Sequence, residues 1–140
     1  MPPDADPYAL VIAPPPLTDY LELRRRSGLT PVTPPQGEGA LSGSWYFCHV
    51  RHADDGVVAM GRIIGDGGWY FHLADMATLP QHQRHGLGAR VLGALLARID
   101  EVAPPGAYVT LMADEPGRPL YARHGFVPTA PRSIGMRLAR

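Results

Sequence analysis

Residues 75–99 read DMATLPQHQRHGLGARVLGALLARI, and the change from strand pattern to helix pattern inside this stretch decides the fold. After Gly86, the residues Leu87, Val91, Leu92, Leu95, Leu96 and Ile99 recur at helical spacing, which predicts a helix over 86–102. Before it, Trp69 to Leu79 reads as a strand stopped by Pro80. Between the two stand Gly86 and Gly88, with Arg84, His85 and Arg90 around them. The first amide N–H groups of a helix lack intrahelical partners, and the helix dipole adds partial positive charge at that end. Glycines let backbone approach an anion closely, and the basic side chains add charge, so the stretch fits a diphosphate cradle. A glycine-rich turn with solvated arginines is the plainer reading of the same residues. The GK[ST] ending of a P-loop is missing, as is the later acidic residue of a dinucleotide fold, which disfavours ATP and NAD.

Outward from this stretch, the sequence predicts a mixed α/β order. Tyr8 to Ile12 is a short strand closed by Pro14-Pro15-Pro16, and Thr18 caps a helix that ends at Gly28. Residues 29–44 are rich in Pro, Gly and Thr without a period, so they read as a loop with at most one helical turn, of the kind that often covers a site. Trp45–Arg51, Val57–Ile64 and Trp69–Leu79 are separated by Asp54-Asp55-Gly56 and by Gly65-Asp66-Gly67-Gly68, which predicts a three-stranded antiparallel meander. After the central helix come a buried-strand pattern at YVTLMA, a short helical piece around Leu120–His124, and two final strands at Phe126-Val127 and Ile134–Leu138. The expected order is β, α, β-β-β, α, β, α, β-β.

The chain has 140 residues, enough for one compact domain spanning 1–140 and too few for a second. Lys+Arg 13 balance Asp+Glu 13, so no global field calls for nucleic acid or an anionic membrane surface. The positive residues are all arginine; alongside the many Ala, Gly and Pro this reads as coding bias without functional weight. The lone Cys48 lies in an aromatic run, WYFCHV, and reads as a buried small hydrophobe in a reducing cytoplasm. No apolar run approaches the ~20 residues of a membrane span. His82 and His85, with His72 upstream, lack a Cys or carboxylate at a zinc-site interval, so no metal is expected.

Gln83-Arg84-His85-Gly86-Leu87-Gly88 resembles the Q/R-x-x-G-x-G/A signature of the GNAT acyltransferase superfamily, and DMATLP before it resembles the strand end preceding that family's cofactor loop. Leu120-Tyr121-Ala122-Arg123-His124-Gly125-Phe126 resembles the family's LYxxxGF segment at the right distance. Locally, DMATLPQHQRHGLG and SIGM are similar to the plant plastid serotonin and lysine acetyltransferase branch. The resemblance covers nearly the whole chain and is weakest over 13–44.

The resemblance implies a mixed, mostly antiparallel central sheet flanked by helices, with the fourth and fifth strands splayed apart. It implies acetyl-CoA as donor and a primary amine as acceptor. The pantetheine arm would pair with Met76, Ala77 and Thr78, and the pyrophosphate would rest on the loop Gln83, Arg84, His85, Gly86, Leu87, Gly88 and Ala89. His85 stands where arginine or lysine is commonest, which would make CoA affinity sensitive to pH where imidazole titrates. Tyr121 matches the family's proton donor to the departing thiolate; its bland alternative is a core tyrosine. Asp75 is the favoured general base, because an aspartate stands there in the plant branch. His72 is second, near a glutamate of histone-acetylating relatives. Strand alternation sends the two to opposite faces. Glu115 departs from the asparagine common after the fifth strand and reads as a solvated loop carboxylate or an attractor of a cationic amine.

Pocket candidates are 29–43, the 62–68 hairpin and Trp69, Tyr70 or Phe71, each aromatic being more often core. A small-molecule amine is favoured over protein lysine, for want of an acidic platform. Edge or C-terminal strands are where a homodimer would form, as is common in the resembled family. A non-catalytic acyl-CoA sensor or partner module is the rival function; retention of Tyr121 and Asp75 argues against it.

Overall fold

A computed structural model describes residues 5–140; residues 1–4 of the domain expected over 1–140 lie outside the described residues. The chain divides into two compact units, Met1–Thr110 and Leu111–Arg140. The sheet contains five strands in the order β1-β2-β3-β4-β5: β1 Tyr8–Val11, β2 Tyr46–His52, β3 Gly56–Gly65, β4 Tyr70–Thr78 and β5 Tyr108–Leu111. β1 to β4 pair antiparallel in succession, and β5 runs parallel to β4. This is the mixed, mostly antiparallel α/β sheet that the sequence predicts.

Helix α1 (Leu17–Arg26) packs on β3 and β4, and helix α3, Leu87–Val102, packs on β2, β3 and β4. Leu87, Val91, Leu92, Leu95 and Ile99 form the buried stripe of that long helix. Each such side chain contributes roughly 1.5–3 kcal/mol relative to exposure. A third helix, α2, occupies Pro34–Gly43, where the sequence suggests a loop. Its start carries a full capping box: Thr33 Oγ1 accepts from Gln36 N–H and Gln36 Oε1 accepts from Thr33 N–H, with prolines in the first turn. Gly37 lies under α1, because a Cβ there would meet Leu17 Cδ1 at 2.7 Å. Gly37, unfavourable in a helix by propensity, is here a packing device, whereas Gly39 and Gly43 have open space around them.

The meander contains one irregularity that positions the site. Met60 pairs with Ala77 and Arg62 with Ala74, so two residues of β4, Asp75 and Met76, stand opposite Gly61. Asp75 takes φ 55, a left-handed value uncommon outside glycine. This is a β-bulge, and it resets the alternation of side chains. Met76 turns toward α3, and a Cβ on Gly61 would come within 2.6 Å of its Sδ and 2.7 Å of Val91 Cγ1.

The second unit holds a 3-10 turn at Glu115–Gly117 and the short helix α4, Arg118–Arg123. The two final strands expected at Phe126-Val127 and Ile134–Leu138 do not form among the described residues. Pro128 and Pro131 interrupt the segment, and Val127, Ile134 and Met136 are largely exposed, so neither cross-strand hydrogen bonds nor burial is available to hold it extended.

Candidate active site

The cradle begins where β4 ends. Pro80–His82 forms a 3-10 turn, Arg84 takes φ 65, and Gly86, the N-cap of α3, takes φ 74 and ψ 14. Left-handed residues at such a turn point successive backbone amides into one concavity that suits an anion. No side chain caps α3, and its first turn carries no acidic residue, so its first amides have no side-chain partner. Leu87 is buried and anchors the helix start in the core. His85 Nδ1 faces the carbonyls of Gln83 at 2.9 Å and His82 at 3.2 Å, so this nitrogen carries the proton. Arg84 is exposed and has no salt-bridge partner among the described residues. Arg90, expected to add charge to the cradle, is instead tied to Asp6 Oδ2 at 3.1 Å and to Tyr8 O.

The end of β4 leads into this cradle. Ala77 and Thr78 pair with Met60 and Ala59 on the β3 side. Within the first unit, β5 meets β4 at its other end: Tyr108 N–H donates to Trp69 O at 2.8 Å, and the Thr110 hydroxyl donates to Phe71 O at 3.4 Å. The edge of Met76–Thr78 away from β3 is therefore not covered by these contacts.

The two base candidates share a face, contrary to strict alternation. Arg62 and Ile64 lie on one face of β3; Arg62 bonds to Asp75 and Ile64 pairs with His72. The bulge is the reason, since it returns Asp75 to the side that Met76 would otherwise take. The surroundings of the two residues differ. Asp75 accepts from Arg24 Nη1 at 2.5 Å, Arg62 Nε at 2.7 Å and the Tyr20 hydroxyl at 2.5 Å, with its side chain 8% exposed. Burial, then the Asp75 bond and charge, push the Tyr20 phenol up to about 12. Arg24 reaches on to Thr30 O and Arg62 to Ser44 Oγ, so one carboxylate ties α1, the loop after it, β3 and the end of α2 to the bulge.

His72 has one partner, Thr110 Oγ1, 2.9 Å from its Nδ1. The Thr110 hydroxyl lies 3.4 Å from Phe71 O; donating there, it accepts from Nδ1–H and leaves the lone pair on Nε2, whereas donating to Nδ1 it leaves the ring proton on Nε2. Burial lowers the imidazole's pKa from its ordinary value, and the nearby Arg62 charge adds to the effect. Both effects favour the neutral ring.

In the second unit, Tyr121 lies over Gly117, where a Cβ would sit 2.8 Å from Cε2, and meets Phe126 edge-on with ring centroids 6.0 Å apart. Burial, and then the Asp114 charge, raise the phenol's pKa, so it stays protonated and able to donate. Glu115 is exposed at the start of the 3-10 turn. Of the aromatic pocket candidates, Phe71 is fully buried core while Trp69 and Tyr70 are exposed. Cys48 is fully buried and burial pushes its thiol up to about 12, which removes it as a nucleophile.

Sequence reasoning missed the partners that surround these residues. Tyr20, Arg24 and Arg62 are far from Asp75 along the chain, and only Gly61 opposite the bulge offered a local clue. It also missed that His82 is buried, with Nδ1 at 2.8 Å from the Tyr8 hydroxyl and Nε2 at 2.7 Å from Asp55 Oδ2.

The chain thus has a mostly antiparallel α/β sheet whose bulged fourth strand runs into a helix without a side-chain cap, and comparison with known proteins gives this fold a family. Residues 44–128 match the acetyltransferase (GNAT) domain family. A protein of unknown function from meticillin-resistant Staphylococcus aureus, described as a probable acetyltransferase, is 32% identical, with a TM-score of 0.89 over 95% of this chain and 99% of that one. A GNAT-family acetyltransferase from Streptococcus pneumoniae is 25% identical, with a TM-score of 0.76 over 95% and 98%. Glucosamine-6-phosphate N-acetyltransferase from Arabidopsis thaliana, 17% identical, shares the fold with a TM-score of 0.70 over 94% and 98%. No curated protein matches in sequence. The chain belongs to the GNAT acetyltransferase family. No helix among the described residues is long and apolar enough to cross a membrane.

Proposed function

We propose that the protein is an N-acetyltransferase that moves the acetyl group of acetyl-CoA to the primary amine of a small molecule by direct attack. One observation carries this reading: α3 starts without a side-chain cap or an acidic first turn, behind left-handed Arg84 and Gly86, directly after β4. Those amides suit the CoA pyrophosphate, with Gln83 to Ala89 forming its cradle. The backbone edge of Met76–Thr78 suits the amide groups of the pantetheine arm. The family match spans residues 44–128 and so crosses the junction at Thr110, which supports treating 1–140 as one functional domain.

His72 serves as the base in this reading, because a proton on Nδ1 toward Thr110 leaves the Nε2 lone pair to accept one, and burial favours the neutral ring. It takes a proton from the ammonium form of the acceptor, directly or through water. The amine nitrogen then bonds to the thioester carbonyl carbon, and the C–S bond breaks as the tetrahedral intermediate collapses. Tyr121 gives its phenolic proton to the departing thiolate, the nitrogen releases to solvent the one proton it carries beyond the product amide, and Tyr121 and His72 return to their starting states by proton exchange with solvent. Asp75 is a positioning residue: with three donors on its two oxygens it holds the bulge, and with it the strand end that leads into the cradle.

The test is release of free thiol from acetyl-CoA in the presence of arylalkylamines, polyamines, amino acids, aminoglycosides and lysine peptides. Amine-dependent release, strongest with one small-molecule class, supports the reading. Binding of acetyl-CoA with no release across the panel favours an acyl-CoA sensor instead. A lysine peptide as the best acceptor would move the substrate to protein.

A further inference from the structure

At the turn that precedes the cradle, the fold assembles a group that neither catalysis nor CoA binding uses. His52 at the end of β2, Asp55 in the following turn and His82 just before the cradle bring one ring nitrogen of each histidine and a carboxylate oxygen within 4.8 Å of one another. His82 Nε2 lies 2.7 Å from Asp55 Oδ2, and His52 Nδ1 lies 3.7 Å from the same oxygen. We propose that His52, Asp55 and His82 form a binding site for a divalent transition-metal cation of the zinc class, which pins the start of the cofactor loop to the β2–β3 turn.

The donor set suits such an ion. Two imidazoles and one carboxylate with a position open to solvent are borderline ligands for Zn²⁺, and magnesium or calcium would require more oxygen donors. Ligand atoms of a tetrahedral zinc centre stand about 3.4 Å apart at bond lengths of about 2.0–2.1 Å. The Asp55 oxygen therefore has to move by less than about 1 Å from His82, and by less still toward His52, on the same bond lengths. The Asp55 side chain is 55% exposed on a turn, so it has freedom to make that movement and the ion has a route in.

The protonation pattern also fits. His52 Nδ1 accepts from the backbone N–H groups of Asp54 and Asp55, both at 3.2 Å, so this nitrogen carries a lone pair and no proton, and an ion would take that lone pair over from two long hydrogen bonds. His82 has the Tyr8 hydroxyl on its other nitrogen at 2.8 Å. Without a cation, His82 Nε2–H donates to Asp55 and Tyr8 donates to Nδ1. With one, the ring proton sits on Nδ1 and is donated to the Tyr8 oxygen, and the Nε2 lone pair goes to the ion. A hydroxyl can play either part, which is what an outer partner of a metal-bound histidine has to do.

Only the folded chain supplies these three residues together, so a bound cation stabilises it by linkage. The test uses Co²⁺ as a spectroscopic probe on the tag-free chain, followed by displacement with Zn²⁺, and the melting temperature with and without Zn²⁺. One Co²⁺ per chain is expected, with the intense visible bands of low coordination, lost on adding Zn²⁺. Asp55→Asn, which alters an exposed turn residue and leaves the fold intact, should lower Co²⁺ affinity by more than tenfold and abolish the thermal shift. Tyr8→Phe should lower affinity by about 10–100-fold, the usual effect of losing an outer partner. Co²⁺ bound at much less than one per chain, or bound equally well by wild type, Asp55→Asn and His52→Asn, overturns the proposal. Both readouts are made without acetyl-CoA, so they stand apart from the acetyltransfer reading.

Discussion

Replacing Asp75 with asparagine separates a proton-transfer role from a positioning role. The carboxylate sits between two guanidinium groups and a phenol, with its side chain 8% exposed and those of Arg24 and Arg62 at 13% and 15%. Removing one partner of a buried ion pair costs about 3–5 kcal/mol, because the remaining charges stay buried without compensation. Asparagine keeps one carbonyl acceptor, which points to the lower end, about 3 kcal/mol. Folded domains have only about 5–15 kcal/mol in total. For a chain of this size 1 kcal/mol moves the melting temperature by about 4 °C, so the variant should melt about 12 °C below wild type. Calorimetry measures that shift. The pH–rate profile is then taken at a temperature where the variant is folded, and its acidic limb should stay where the wild type has it. A variant melting within about 4 °C of wild type refutes the structural reasoning. A flattened acidic limb with normal folding would make Asp75 the base.

Other expectations follow from the same geometry. The acidic limb of kcat/KM should have its midpoint below the ordinary histidine value of about 6.5, since a base with a lowered pKa stays unprotonated to lower pH and fails only as pH falls through that lowered value. His72→Gln should remove this limb while acetyl-CoA affinity, measured by calorimetry, holds. Tyr121→Phe should cut kcat by about 100-fold with little change in acetyl-CoA affinity, and equal turnover would remove Tyr121 as the acid. Gly61→Ala should cost about 1–3 kcal/mol in a denaturant melt, because the new methyl meets Met76 Sδ at 2.6 Å and Val91 Cγ1 at 2.7 Å.

The local patterns that carried the fold were those with strong periodicity or punctuation. The α3 stripe, the Asp54-Asp55-Gly56 turn and the glycines of the cradle all depend on neighbours within a few residues, and the structure has them where the sequence puts them. The α2 capping box at Thr33 and Gln36 was equally local, but glycine and proline content masked it, and the need for Gly37 under α1 is a tertiary fact. The C-terminal alternation at Ile134–Leu138 shows the opposite error. An alternating pattern gives a strand only when a partner edge takes up its backbone hydrogen bonds. The faces of His72 and Asp75 depend on a bulge that alternation cannot reveal. The partners that decide their chemistry, Thr110 for one and Tyr20, Arg24 and Arg62 for the other, come from other elements of the fold.

The most direct test of the central claim is the stoichiometry of product. Acetyl-CoA and the best amine of the panel are incubated with the protein, and mass spectrometry counts acetylated amine against free CoA. An acetyltransferase yields one acetylated amine for each CoA released. CoA released without acetylated amine, or acetyl-CoA bound and left intact with every amine, contradicts it.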